Sequence, residues 1–137
     1  MRHLPITTKA TLSLFALGML LHLYEVAQAE SATDAGSLLF LGVFFLWSCL
    51  PYLVWTYVAV VKEKPVLAVG AASLIFVADL YAYYSVFIHP TRSTAALGLL
   101  FVPLWNLLLI GPAGAAISWL FTKSVQRFLH RAKHKET

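Results

Sequence analysis

Four apolar runs, separated only by short polar joints, restrict what this chain can become. They extend from about Ala10 to Ala29, Ser37 to Val61, Val66 to Ile88 and Thr94 to Phe121. Each reaches the ~20 residues that a helix needs to cross ~30 Å of hydrocarbon. Charged residues make up 12% of the 137 positions and hydrophobic ones 60%, with a mean hydropathy of +0.77; an ordinary globular domain carries about 25% charged residues. The expectation is a single all-α domain over residues 1–137, a polytopic membrane protein built as a four-helix antiparallel transmembrane bundle. A short basic tail, 122–137, follows the last span. The small four-span plan resembles many bacterial inner-membrane proteins in general shape, and on that ground the expected location is the bacterial inner membrane.

The positions of the basic residues decide what the formal charge of +4 means. Arg2, Lys9, Lys62, Lys64, Lys123, Arg127, Arg131, Lys133 and Lys135 belong to the N-terminus, the second joint or the C-terminus, and Arg92 alone to the third joint. With four spans these favoured segments share one side of the membrane, so both termini are expected in the cytoplasm. The basicity is then a topology signal and a lipid-facing charge, and nucleic acid is not an expected partner. In the tail, Val125, Phe128, Leu129 and Ala132 share a stripe, with Arg127, Arg131 and Lys133 largely off it. That pattern suits an interfacial amphipathic helix held to anionic lipid.

Arg2 and Lys9, the apolar stretch from Ala10 to Leu21 and the triplet Ala27-Gln28-Ala29 imitate a cleavable signal peptide. The apolar region continues through His22, Tyr24 and Glu25, long and polar for a signal core, so an uncleaved first helix is expected. Cys49 is the single cysteine, which excludes an internal disulfide and a cysteine-based zinc site.

Within the spans the costly residues draw attention, because an ionised side chain at the bilayer centre is disfavoured by about 2.5–3.5 kcal/mol on insertion scales. His22 and Glu25 are three apart and share a helix face with Gly18. Asp79 lies inside the third run, with Tyr83 one turn on. Counting ~1.5 Å per residue puts His22 roughly 18 Å, Glu25 roughly 22 Å and Asp79 roughly 20 Å from the cytoplasmic boundary. One level for three ionisable groups on two helices implies that their faces turn inward, forming a polar pocket open to the outer side. Tyr83 and Arg92 are the further candidates for that site. Elsewhere, Pro51 should bend the second helix, and Trp55 and Trp119 are expected in an inner aromatic belt. The small residues Ala68, Gly70, Ala71, Ala72 and Ser73, and Gly111, Gly114, Ala115 and Ser118, should allow close helix approach. The fourth run, with Pro103, Asn106 and Pro112, should be one kinked helix.

Three functions fit these residues. The pocket of His22, Glu25, Asp79, Tyr83 and Arg92 can bind or translocate a proton, a cation or a small polar ligand. The same polar cluster can instead be structural, in an accessory or regulatory subunit of a larger membrane complex or a homo-oligomer. Lastly, His22, Glu25, Asp79 and His89 form a candidate ligand set for a metal, and His22 with His89 a candidate axial pair for haem; the sequence names no particular cofactor. No nucleophile elbow, phosphate loop or zinc-protease helix is present, so a dedicated enzyme is not the expectation.

Overall fold

The structure is a computed structural model that describes residues 4–28, 34–90 and 95–133. Every regular element in it is helical. Helix α1 spans Ile6–Ala27, α2 Ala35–Val60 and α3 Pro65–Tyr83, the last running on into a π-helical turn, Tyr84–Ile88. After a short α4, Ala95–Gly98, come α5, Val102–Trp105, a second π-helical turn, Asn106–Ile110, and α6, Gly111–Lys133. Four helical stretches are long and apolar enough to cross a membrane: Ile6–Ala27, Ala35–Val60, Pro65–Ile88 and Val102–Phe128.

The fourth of these differs from the expected run. It starts at Val102, because Pro103 occupies the first turn of α5, where a missing N–H costs nothing and the fixed φ favours helix initiation. Leu99 to Phe101 form a turn before it. At Pro112 an ordinary α-helical register would press the ring against the carbonyl four residues back. Here the helix widens to π just before it, and Gly111 N–H bonds to Asn106 O. α6 then continues to Lys133 without a break, so no separate helix begins after Phe121.

Burial is inverted relative to a water-soluble protein. The buried residues of α1 are Thr8, Thr11, Gly18, His22 and Glu25, while Leu17, Leu20 and Leu23 are about half exposed or more. Ser48, Asp79 and Asn106 are likewise buried, and Leu39, Leu46, Val77, Leu108 and Phe121 are exposed. Apolar surface on this scale carries no penalty against lipid, whereas polar groups have no water to face and turn inward.

Helix α3 is central, packing on α1, α2 and α6. Its contact with α6 uses the small residues of both helices: a Cβ built on Gly70 would lie 2.6 Å from Gly114 O and would collide with the Ser118 side chain. Such backbone approach is available only without side chains in between. The tight joint after α2 places Glu63 at φ 54°, and Asp34 caps α2 by accepting from Ser37 N–H at 2.9 Å and from the Ser37 hydroxyl at 2.8 Å. Trp119 is exposed with the Lys123 ammonium 4.6 Å from its ring centre, as suits a headgroup-level indole. Trp55 departs from the expected belt. Its indole packs on Gly111, with Nε1 buried and unpartnered, because the glycine leaves a recess there.

Candidate functional site

The fifth turn of α3 carries Asp79 to the middle of the molecule, where it is 1% exposed. Three other elements meet it. Tyr52 of α2 donates its hydroxyl to Oδ2 at 2.7 Å, and Asn106, the first residue of the second π-helical turn, donates Nδ2–H to Oδ1 at 2.6 Å. The amide nitrogen must face the carboxylate, since the amide oxygen would be repelled. His22 of α1 brings Nε2 to 3.4 Å from Oδ2, ion-pair separation without hydrogen-bond alignment.

On its other side the His22 ring places Nδ1 2.8 Å from Glu25 Oε2. Glu25 is 5% exposed and His22 4%. The result is a continuous line, Glu25, His22, Asp79, closed at the far end by Tyr52 and Asn106. Two carboxylates and one imidazole lie within reach of one another, so protons belong to the group as a whole and a proton moved between members redistributes charge inside it. Whichever carboxylate is ionised has a donor already in place.

Local sequence explains why the partners converge. Gly18 sits one turn before His22, and a Cβ there would lie 2.6 Å from the Tyr52 ring; the glycine is the slot that admits the phenol. Tyr52 follows buried Pro51, and side chains on a helix lean toward its N-terminus, which directs the Tyr52 hydroxyl along α2 toward the level of Asp79. The Tyr52 ring also meets His22 edge-on, with centroids 6.2 Å apart.

His22, Glu25 and Asp79 are thus brought together as expected from their depth. The others are not. Tyr83 stands half-buried in an aromatic group, its ring 5.9 Å from Tyr24 and 5.1 Å from Phe87, because Tyr52 and Asn106 already occupy the Asp79 oxygens. Arg92 lies outside the described residues. His89 is exposed and stacks on Tyr84 at 6.2 Å; ten residues beyond Asp79, it is about 15 Å too far along the helix to share a ligand set. Among the described residues no group of three or more His, Cys, Asp or Glu is placed to hold a metal ion, and both ring nitrogens of His22 face carboxylates, which leaves neither free for haem. The expected open polar pocket is a closed network instead. Beside it lies an apolar cavity of about 370 Å³, to which Glu25 contributes the wall nearest the network.

Comparison with protein-family models, curated proteins and solved structures finds no significant match. What the cluster does therefore has to be argued from its chemistry.

Tyr52 and Asn106 are the residues that depth counting of ionisable groups overlooks. Of the two, Asn106 carried a signal. Asn106 is a strong hydrogen-bonding amide in an otherwise apolar stretch, and an amide in hydrocarbon needs a partner.

Proposed function

We propose that the chain is a small integral membrane protein that holds an exchangeable proton, or a small cation in its place, on the Glu25, His22 and Asp79 group. The observation that carries this is the placement of two carboxylates on either side of one imidazole, all three at most 5% exposed. Ionisable residues are expensive in a membrane interior and typically mark ion or proton sites. With both carboxylates ionised and His22 protonated the group carries one net negative charge; one further proton or cation neutralises it, which a low-dielectric interior strongly favours.

The positive-inside bias supports a four-helix antiparallel bundle with both termini in the cytoplasm, which sets the group in the outer half of the bilayer. The basic face of α6 beyond Trp119 then meets anionic lipid on the cytoplasmic side.

The test is infrared difference spectroscopy of the purified protein in lipid across a pH titration. A protonated carboxyl band that rises and falls with pH and disappears in Asp79→Asn or Glu25→Gln is expected; an invariant spectrum in the unaltered protein contradicts the proposal. A second reading, an accessory subunit in which the cluster is structural, is favoured by one observation: the two oxygens of Asp79 are satisfied by α2 and by the turn before α6, so the network ties the helices together. Under that reading the same substitutions disturb assembly with a larger partner or a second copy and leave the spectrum without a pH-dependent carboxyl.

A further inference from the structure

The cavity next to the network lies between the end of α1, the first half of α2, the π-helical turn after α3 and the α4 segment. Phe40, Phe44, Phe87, Leu97 and Leu99 give it aromatic and aliphatic walls. Glu25 is the single charged residue among the described residues that line it. A water-filled or lipid-filled void has no need of a carboxylate, and a carboxylate against an apolar wall is costly without a counter-charge. The described side-chain hydrogen bond of Glu25 uses Oε2, toward His22, and none of those described engages Oε1. No lysine or arginine among the described residues pairs with it.

Resting on the proton or cation reading of the same group, we propose that this cavity is a binding site for a lipophilic ammonium: an apolar, preferably aromatic body with one protonated amine that bonds to Glu25. The body replaces lipid or water against Phe40, Phe44 and Phe87, and the ammonium supplies the positive charge that the two carboxylates and single imidazole lack. A neutral alcohol of the same shape fills the walls equally well and leaves the net negative charge buried. That difference makes the site selective for the cation.

The experiment measures equilibrium binding of 4-phenylbutylamine, and of its neutral counterpart 4-phenylbutan-1-ol, to the full chain in phosphatidylcholine nanodiscs. A charge-assisted hydrogen bond in a dry site predicts a preference of at least about tenfold for the amine. Glu25→Gln is expected to erase that preference and keep weak binding of both. Because Glu25→Gln also touches the network, Leu97→Trp serves as an independent variant, filling the cavity from its α4 wall and weakening both compounds by at least about tenfold. Equal affinity for amine and alcohol, an amine preference that survives Glu25→Gln, or amine binding that appears only after Arg92→Ala, which would make Arg92 the resident cation, each overturn the proposal. A pH-dependent carboxyl band together with any of these leaves the proton site standing and removes the ammonium site; loss of the band together with a retained amine preference does the reverse. Nanodiscs of phosphatidylethanolamine separate the sources: competition with the probe marks a lipid headgroup amine, unchanged affinity marks a free amine, and both keep the ammonium class.

Discussion

At the level of single residues, the site is a set of donors arranged around one carboxylate. Tyr52→Phe removes the hydroxyl that donates to Asp79 Oδ2 and changes little else in shape, so it should destabilise the fold by about 1–2 kcal/mol, as hydrogen bonds inside membranes are worth less than their vacuum strength suggests. Asn106→Leu should cost more, about 2–3 kcal/mol, because it leaves Oδ1 buried with no partner. Reversible unfolding in bicelles measures both. Equal or greater stability in either variant would show that Asp79 is held by something else. The three ionisable members were legible in sequence because rise per residue is fixed, so residues on antiparallel helices can be assigned a common level before any contact is known. Tyr52 was not, since its Cα lies off that level and only the length and lean of its side chain bring the hydroxyl there. Asn106 was hidden by the proline-rich stretch around it, where a π-helical turn shifts the register on which counting depends.

At the level of elements, close approach is what positions the site. Gly18→Ala puts a methyl group into the Tyr52 ring, and the ring cannot withdraw without giving up Asp79; a loss of about 1–3 kcal/mol is expected, read by the same unfolding measurement as Tyr52→Phe. Gly114→Leu should separate α3 from α6 at a similar cost of about 1–3 kcal/mol, leaving the α1 to α3 pairing of His22 with Asp79 in place. The small-residue stripes of α3 and α6 were legible because their spacing alone implies contact. The start of the fourth long helix was not, because hydropathy continues smoothly across Leu99 to Phe101 and only the turn before Pro103 interrupts it. The cap of α2 is sensitive to acid. The Ser37 backbone N–H, and then its hydroxyl, hold the Asp34 carboxyl below the usual carboxylate range. A lowered folded-state value means that the cap contributes fully above the unfolded-state value and is lost as pH falls through the folded one. The protection of the Ser37 amide, taken relative to its intrinsic exchange rate at each pH, should therefore fall on acidification below the ordinary carboxylate range, and in Asp34→Ala it should be low at every pH.

For the molecule as a whole, the inverted burial and the charge bias support one picture: apolar faces toward lipid, polar groups gathered inside, and the buried group nearer the outer surface. Sidedness has its own test. In a Cys49→Ser background, a cysteine placed at Gly36 should react with a membrane-impermeant maleimide on intact cells, and one placed at Gln126 only after the cells are opened; the opposite pattern would move the site to the cytoplasmic half. The claim on which everything else depends is that His22 stands between two carboxylates. Nitrogen-15 NMR of the histidine side chains in lipid reads each ring nitrogen separately. The account predicts that Glu25→Gln shifts the His22 Nδ1 signal and Asp79→Asn shifts the Nε2 signal, with His89 unchanged in both. A His22 ring whose signals ignore Asp79→Asn would contradict it.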